Sequence, residues 1–491
     1  MHEWDVGCLD LDALERLAEL LALYAGRGDL MLLEGDLGAG KSTFARALIR
    51  AVTGNAAEEV PSPTFALVQS YQSPRHTVHH FDLYRLSGPD EVGDIGFGEA
   101  LDTGLTLVEW PDRAVGLLGA DCLRLVLSDA ADPGHRKVKL IGEGVFGRRL
   151  RHIEKVRRFI AANGWAEARI AYVAGDASRR SYARLTEAGR TCLLMDSPPL
   201  PGGPPVMDGK PYWALARLAR DVRAFVSVQA DLRGFAFSVP AILAQDLDAG
   251  LLLVEDFGER SFAVAIADGV PMRTLYRAAA DVLVELSRHP APASLPTFDT
   301  GALLVEARLL VEWYWPYTQG SPAPQAISDS FDLAWQRVLV PLGNHPRSWV
   351  LRDFHSPNLF WMPERQGLNR VGLIDFQDAV AGHQAYDLAA LLQDARIDVP
   401  ESLERELLTH YVSARTRRDS TFDGAAFRHV YALLGAQRTT KILGIFVRLA
   451  KRDGKPAYLT HLPRIKRYLA RNLANPGLAE LTAWYRQHLA L

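Results

Sequence analysis

A run of eight residues near the amino terminus carries the strongest chemical signal in the sequence. Gly35-Asp-Leu-Gly-Ala-Gly-Lys-Ser42 follows an apolar run and opens a helical pattern, which is the spacing and context of a phosphate-binding loop. Three glycines let successive backbone N–H groups point into one concavity: Gly35, Gly38 and Gly40. We predict that Lys41 reaches the β- and γ-phosphates of a nucleotide and that the Ser42 hydroxyl binds Mg²⁺.

A nucleotide site of this type needs a second carboxylate at the end of another strand. The apolar run 105–108 is followed by Glu109, which makes this residue the natural candidate for orienting Mg²⁺. The adjacent His79 and His80 are interpreted as packing or surface residues, because no third metal ligand stands at a suitable spacing.

A second constellation lies in residues 346–395. Asp353 ends a strand-like run, Asn358 follows five positions later, and Asp375 ends another apolar run 17 residues after Asn358. Phosphoryl transfer from ATP to a hydroxyl requires a carboxylate that accepts the hydroxyl proton, and an Asn and an Asp that hold Mg²⁺. The spacing therefore predicts a kinase-like catalytic loop.

The elements that position these residues fall into separate segments of a 491-residue chain, a length that predicts two or three domains. Short strand and helix patterns alternate over the first 145 residues, and turn residues and a basic helical segment place a seam near residue 148. Formal net charge is −10 over residues 1–140 and +7 over residues 141–491, which indicates two unlike units.

Composition bounds the class of protein. With 48% hydrophobic and 23% charged residues, the sequence is typical of a globular protein and excludes long disorder or a collagen-like repeat. The three cysteines are far apart and favour a reducing compartment over a disulfide framework. We see no signal peptide and no apolar run long enough for a membrane span, so a soluble, cytoplasmic protein is expected.

Four segments together resemble the motifs of the TsaE family: 35–43, 61–65, 81–86 and 108–111. This family consists of small bacterial ATPases of tRNA threonylcarbamoyladenosine biosynthesis. The resemblance implies an α/β P-loop NTPase domain whose ATP hydrolysis powers or resets TsaD and TsaB partners, without a direct grip on tRNA. It also implies that Ser42 and Glu109 hold Mg²⁺. Further residues are expected at the nucleotide: Thr43, Thr64, Asp82 and Trp110.

Residues from about 150 to the end resemble the AmgK family of aminoglycoside-phosphotransferase-like kinases. The segments 175–182, 252–258, 351–358, 374–378 and 434–438 carry the resemblance. It implies an α+β protein-kinase-like bilobal domain that phosphorylates the anomeric hydroxyl of N-acetylmuramate and N-acetylglucosamine in cell-wall recycling. On this resemblance Asp353 is the base, Asn358 and Asp375 bind metal, and Asp387 braces the catalytic loop.

The chain departs from the wider kinase pattern at one important position. Met195 stands where most kinases of this fold place the phosphate-binding lysine, so the cation that binds the α- and β-phosphates is open. The preceding loop supplies candidate nucleotide-binding residues: Ser178, Arg179 and Arg180. His355 is interpreted as a hydrogen-bond partner that stabilises the loop. Three cations on one helical segment either meet a substrate carboxylate or are solvated helix charges: Arg438, Lys441 and Arg448.

These observations predict two domains, 1–148 and 149–491, the second with a small lobe over about 150–258 and a helical lobe over about 259–491. Each domain is expected to hold one ATP and Mg²⁺. Two alternatives stay open for the second domain: another small hydroxyl acceptor, such as an amino alcohol or aminoglycoside, or a non-catalytic module that binds nucleotide or partner. For the first domain the alternative is a nucleotide-dependent scaffold.

Overall fold

The computed structural model describes residues 1–119, 121–173, 180–199, 202–207, 209–345 and 347–489. Contacts divide the chain into two compact units. The first unit comprises Met1–Pro198 and Ile242–Asp256, and the second comprises Pro199–Ala241 and Phe257–Leu491.

The first unit contains a seven-stranded sheet in the order β1-β7-β6-β2-β5-β4-β3. Its strands are β1 (His2–Leu9), β2 (Leu30–Glu34), β3 (Val68–Tyr71), β4 (Thr77–Asp82), β5 (Gly104–Glu109), β6 (Leu123–Asp129) and β7 (Arg136–Gly142). β2 pairs in parallel with β5 and β6, and β4 pairs in parallel with β5. The carboxyl ends of β2, β4 and β5 therefore meet at one edge of the sheet.

Helices α1 (Leu11–Tyr24), α2 (Lys41–Thr53), α3 (Pro89–Asp94), α4 (Phe97–Thr103) and α5 (Gly144–Ala162) accompany this sheet. α1 begins where the Asp10 side chain accepts a 2.8 Å hydrogen bond from the backbone N–H of Ala13. It buries Leu14, Leu17 and Leu21, whose spacing places them on one face of the helix. The predicted seam near residue 148 lies inside α5 and stays a prediction.

The chain continues through strands that belong to two sheets: β8 (Arg169–Val173), β9 (Ser181–Glu187), β10 (Arg190–Asp196), β11 (Pro205–Met207), β12 (Lys210–Pro211), β13 (Ile242–Asp246) and β14 (Leu251–Val254). β11 and β12 form a two-stranded sheet in the second unit. The other five strands form an antiparallel sheet in the first unit, in the order β13-β14-β10-β9-β8.

Both sheets of the first unit share one hydrophobic core. Leu185, Leu194 and Leu253 of the five-stranded sheet belong to the same buried cluster as side chains of α1, α2 and α5. Polar contacts join the same parts: the Tyr24 hydroxyl donates to Asp196 Oδ2 at 2.6 Å, and His152 Nε2 lies 2.7 Å from the same oxygen. The five-stranded sheet is thus packed against the amino-terminal part of the chain as one folded body.

The second unit is mainly helical. Its helices are α6 (Tyr212–Leu215), α7 (Val222–Gly234), α8 (Phe262–Ala267), α9 (Met272–Leu286), α10 (Thr300–Ala307), α11 (Trp315–Gln319), α12 (Gln325–Leu339), α13 (Ala385–Leu392), α14 (Glu401–Arg418), α15 (Gly424–Lys451), α16 (Leu462–Leu473) and α17 (Ala479–Leu489). Residues 430–440 of α15 are buried without interruption, which makes α15 a core helix.

Four short strands interrupt these helices: β15 (Ser348–Val350), β16 (Leu359–Trp361), β17 (Val371–Leu373) and β18 (Val380–Gly382). β15 pairs with β18 and β16 pairs with β17, both antiparallel. The β16–β17 register sets Leu359 opposite Leu373, so the residues flanking these two positions lie at the same end of the hairpin. Within the described ranges, no helix combines the length and the apolar character needed to cross a bilayer.

Candidate functional site

The predicted phosphate-binding loop connects β2 to α2. Gly35, at its start, has φ +142°, and a Cβ added there would lie 2.4 Å from the carbonyl oxygen of Leu127 on β6. Only glycine fits this close approach. Gly38 and Gly40 also have positive φ, and Gly40 directly precedes α2. The loop therefore presents backbone N–H groups at a helix N-terminus, an arrangement suited to an anion.

Lys41 is the first residue of α2 and is 5% exposed. Its ammonium donates to the carbonyl oxygens of Gly35 at 2.7 Å and Asp36 at 2.9 Å, and it lies 3.7 Å from the centre of the Trp110 ring. Burial lowers the pKa of Lys41, and the carboxylates of Glu109 and Asp82 partly offset that effect. Lys41, Trp110 and Asp82 are thus gathered at the loop, as predicted for a phosphate site.

The predicted magnesium ligands are in contact. Ser42 Oγ donates to Glu109 Oε2 at 2.9 Å, and Glu109, at the end of β5, is 2% exposed. β4 and β5 pair with Asp82 opposite Glu109, so two carboxylates lie side by side at the strand ends. Hydroxyl and carboxylate oxygens are the donors that Mg²⁺ prefers. The donor set at this edge of the sheet fits the expected ion.

Thr64 and Asp82 form one hydrogen-bonded group. Thr64 Oγ1 donates to Asp82 Oδ2 at 2.6 Å, and Ser62 Oγ donates to the same oxygen at 3.1 Å. The backbone N–H of Tyr84 donates to Asp82 Oδ1 at 3.0 Å. The segment 61–65 is therefore fastened to the end of β4 beside the loop. Thr43 lies in the first turn of α2, next to Ser42.

His80 is a site residue that sequence reasoning missed. It was interpreted with His79 as a packing or surface residue, but its Nε2 lies 2.9 Å from Glu109 Oε1 and its side chain is fully buried. His79 points elsewhere, toward Ser70 Oγ at 2.8 Å and Thr103 Oγ1 at 3.0 Å. Side chains alternate between the two faces of a strand, so the sequence of β4 places His80 and Asp82 on the same face. This alternation could have indicated that His80 lies near the site.

In the second unit, the predicted catalytic loop follows β15. Asn358 Nδ2 donates to the backbone carbonyl oxygen of Asp353 at 3.0 Å and lies 3.4 Å from Asp375 Oδ2. Gln377, not singled out from the sequence, donates to Asp375 Oδ1 at 2.8 Å. The β16–β17 hairpin produces this convergence, since the backbone N–H of Ile374 donates to the Asn358 carbonyl oxygen at 3.1 Å. The Asn358 amide and Asp375 carboxylate supply oxygen donors suited to Mg²⁺.

Asp387 braces the catalytic loop as predicted. Its Oδ2 accepts from the backbone N–H of Leu351 at 2.6 Å, and its Oδ1 accepts from that of Arg352 at 2.9 Å. Burial raises the pKa of Asp387 to about 7, although these two backbone bonds act in the opposite direction. The brace fixes the two residues that precede Asp353.

Arg352 forms a buried ion pair that the sequence did not indicate. The residue has φ +69°, in the left-handed region, and is 3% exposed. Its guanidinium pairs with Glu306 of α10, whose Oε1 also accepts from Lys441 Nζ at 2.7 Å. A left-handed backbone conformation is strained for an arginine. The ion pair offsets this strain and so helps to hold the sharp turn before Asp353.

Burial opposes ionisation of Asp353, but nearby positive charges outweigh it and hold the pKa of this carboxyl below its usual range. The largest lowering contribution comes from His355, followed by Lys441, Arg352 and Arg438. His355 is 5% exposed, and burial together with the Arg396 charge lowers its pKa. His355 Nε2 lies 3.8 Å from Asp353 Oδ1. The two side chains therefore lie close enough for their charges to interact.

Met195 lies on β10, where the wider fold places its lysine. It is 1% exposed, and the Tyr182 hydroxyl of β9 donates to its sulfur at 3.2 Å. On the neighbouring strand, Arg184 Nε pairs with Asp256 Oδ2 at 2.6 Å. Arg180 directly precedes β9, whereas Ser178 and Arg179 lie outside the described residues. The structure therefore leaves the predicted phosphate-binding roles of these three residues untested.

Two family models match the chain. Residues 8–138 match the model for threonylcarbamoyl adenosine biosynthesis protein TsaE, and residues 169–420 match the phosphotransferase enzyme family, APH. These two matches support a layout of a TsaE domain followed by a phosphotransferase domain.

Curated relatives match in the same two places. The N-acetylmuramate/N-acetylglucosamine kinase of Caulobacter vibrioides is 38% identical over 357 residues, covering 67% of this chain and 95% of that protein. The kinase of the same name from Pseudomonas putida is 33% identical, covering 67% and 91%. The tRNA threonylcarbamoyladenosine biosynthesis protein TsaE of Rickettsia conorii is 40% identical over 127 residues, covering 26% and 71%. The chain therefore belongs to the TsaE family in its amino-terminal part and to the phosphotransferase enzyme family in its carboxyl-terminal part.

Proposed function

We propose that this chain is a bifunctional enzyme. Its carboxyl-terminal part transfers the γ-phosphoryl group of ATP to the anomeric hydroxyl of N-acetylmuramate or N-acetylglucosamine. Its amino-terminal part hydrolyses ATP in the service of tRNA threonylcarbamoyladenosine formation. The observation that carries the kinase assignment is the convergence of Asp353, Asn358 and Asp375 in a chain 38% identical to a kinase named for these sugars.

In the kinase reaction, Asp353 accepts the proton of the sugar hydroxyl. The hydroxyl oxygen bonds to the γ-phosphorus as the bond to the β,γ-bridging oxygen breaks, which yields a sugar 1-phosphate and ADP. Asn358 and Asp375 hold Mg²⁺, which neutralises charge on the phosphates when bound. Gln377 fixes the Asp375 carboxylate, and Asp387 together with the ion pair of Arg352 and Glu306 keeps Asp353 in place.

In the ATPase, the loop N–H groups and Lys41 bind the phosphates, while Ser42 and Glu109 hold Mg²⁺. In the described part of the chain, the Lys41 ammonium donates to two loop carbonyl oxygens and to no carboxylate, so it is available to exchange them for phosphate oxygens. Trp110 covers one side of this ammonium. TsaD-like and TsaB-like proteins are the proposed partners of this part, by analogy with the family.

The kinase proposal is tested on the full chain with ATP, Mg²⁺ and a panel of acceptors: the two N-acetyl sugars, other hexoses, an amino alcohol and an aminoglycoside. We expect phosphate transfer to the two N-acetyl sugars. Transfer only to another acceptor would replace the substrate assignment. A chain that binds ATP but phosphorylates nothing in the panel would favour the non-catalytic module.

The ATPase proposal is tested by ATP turnover with and without purified TsaB and TsaD proteins. We expect Lys41→Ala to lower turnover by at least about 100-fold, because the variant loses a charged phosphate ligand. Sugar phosphorylation by the same variant serves as the control for folding. Turnover at the wild-type rate in Lys41→Ala would refute the proposed site, and binding without turnover would favour a scaffold.

A further inference from the structure

We infer that Arg438 binds the carboxylate of an acidic amino sugar and so determines how the kinase distinguishes N-acetylmuramate from N-acetylglucosamine. The inference rests on the proposed function and names a specificity residue within the same site.

Arg438 lies in the buried stretch of α15 and is 5% exposed. Its one hydrogen bond in the described part of the chain runs from Nη1 to the backbone carbonyl oxygen of Gln393, at 3.4 Å. Within those same residues, no carboxylate oxygen lies within 4.0 Å of the Arg438 guanidinium. A buried charge without a paired carboxylate is unfavourable unless a ligand or reacting group supplies its partner.

The neighbouring cations on α15 have other roles. Lys441 is one turn further along the same face and pairs with Glu306 at 2.7 Å. Arg448, two further turns along, lies 5.6 Å from the centre of the Tyr212 ring and is less buried. Three cations were candidates for binding a substrate carboxylate. Among them, Arg438 is the one that is buried and has no carboxylate partner within the described residues.

Arg438 also contacts the segment that follows the helix bracing the catalytic loop. Gln393, which accepts its hydrogen bond, directly follows α13, the helix that carries Asp387 and Tyr386. Asp387 in turn binds the backbone before Asp353. Lys441, one turn along the same helix, shares Glu306 with Arg352, the residue directly before the proposed base Asp353. The assignment requires that a sugar with its reacting hydroxyl at Asp353 directs its C3 substituent toward Arg438.

The two sugars differ in the one feature that a guanidinium recognises. N-acetylmuramate carries a lactyl carboxylate on C3, and N-acetylglucosamine has a hydroxyl there. A charge-assisted hydrogen bond from Arg438 would form with the first sugar alone. The residue would then act on substrate affinity, leaving the phosphoryl-transfer chemistry at Asp353 unchanged.

The test compares kcat and KM for both sugars in wild type, Arg438→Gln and Arg438→Lys, with Arg448→Gln as the control on the same helix. For Arg438→Gln we expect KM for N-acetylmuramate to rise about 10- to 100-fold, with kcat little changed and N-acetylglucosamine kinetics within about twofold of wild type. Arg438→Lys should recover part of the loss, because it keeps the charge. Arg448→Gln should keep the wild-type ratio between the two sugars.

A second measurement needs no variant at Arg438. The methyl ester of N-acetylmuramate lacks the negative charge, so wild type should show for it the same 10- to 100-fold rise in KM that Arg438→Gln shows for the acid. The ester result decides the question if Arg438→Gln does not fold.

Four results would overturn the assignment. Equal losses on both sugars would mean that Arg438 acts on the transferred phosphate or on Asp353. If Arg438→Gln has the wild-type KM for N-acetylmuramate, Arg438 does not bind the carboxylate. If wild type has the same KM for the acid and its methyl ester, no guanidinium recognises the carboxylate. A wild-type chain that phosphorylates neither sugar would overturn the proposed function, and this assignment with it.

Discussion

Nε2 of His80 lies 2.9 Å from Oε1 of Glu109, and both side chains are buried. The other carboxylate oxygen of Glu109 accepts from Ser42 at 2.9 Å. His80 therefore fixes the carboxylate beside Ser42, which under the proposed function gives it the role of an outer partner to a metal ligand.

Replacing His80 by Ala is expected to lower ATP turnover by about 10- to 100-fold, because Glu109 loses the bond that fixes it. The apparent affinity for Mg²⁺ should fall as well. His79→Ala is the matched control, since His79 contacts Ser70 and Thr103 on the other face of the strand. Turnover and Mg²⁺ dependence of His80→Ala that equal those of His79→Ala would show that the contact has no functional role.

Replacing Arg352 by Gln is expected to destabilise the protein by about 3 kcal/mol, because it breaks a buried ion pair and removes one of the two cations that pair with Glu306 among the described residues. Urea unfolding measures the change. The double variant Arg352→Gln/Glu306→Gln should lose less unfolding free energy than the two single variants lose in sum, since the residues are in contact. Arg337→Gln, which removes an exposed pair with Glu480, should cost less than about 1 kcal/mol. A loss for Arg352→Gln as small as this would argue against the buried pair.

Stability is expected to fall as the pH drops below about 6.5, in part because of His383. Burial, followed by the His345 and Arg415 charges, lowers the pKa of His383 to about 3, and its Nδ1 accepts from the backbone N–H of Ala385 at 3.2 Å. The unfolded chain takes up a proton near pH 6.5, whereas the folded chain does so only near pH 3. The stability contribution is therefore complete above pH 6.5 and is lost between these values.

His383→Asn keeps an acceptor but cannot titrate in this range. The loss of unfolding free energy between pH 6.5 and pH 5 should be smaller in this variant by about 2 kcal/mol. Thermal or urea unfolding at the two pH values gives the difference. An identical pH dependence in wild type and variant would show that the folded chain does not hold His383 in its neutral form.

A chain that begins at residue 149 is expected to fold poorly. It would lose α1 and α2, whose side chains share a core with Leu185, Leu194 and Leu253. Exposure of that apolar surface should increase binding of a hydrophobic dye and lower solubility relative to the full chain. A fragment with the same melting behaviour and kinase activity as the full chain would mean that the shared core does not stabilise the five-stranded sheet.

Local pattern was enough to predict the features that local sequence determines. The strand, glycine loop and helix around Lys41, the carboxylate at the end of β5, and the Asp353, Asn358 and Asp375 set all follow from short-range spacing. The structure brings Ser42 to Glu109 and Asn358 to Asp375 as that spacing predicted.

Residues whose role depends on distant partners could not be predicted in the same way. His80 reaches Glu109 only because β4 pairs with β5 in one register, and Arg352 meets Glu306 of α10 across 46 positions of sequence. Helical spacing alone does not distinguish a substrate contact from a solvated charge at Arg438, because it does not show that residues 430–440 of α15 are buried. These partners are set by tertiary packing.

Formation of a sugar 1-phosphate by the full chain, measured for each acceptor, decides whether Asp353 serves a sugar kinase. Wild type should convert N-acetylmuramate and N-acetylglucosamine with ATP and Mg²⁺. Asp353→Asn should lose about 10²- to 10⁴-fold in kcat while keeping its fold and its ATP turnover at the amino-terminal site. Undiminished sugar phosphorylation by Asp353→Asn, or none by wild type, would show that Asp353 does not serve a sugar kinase.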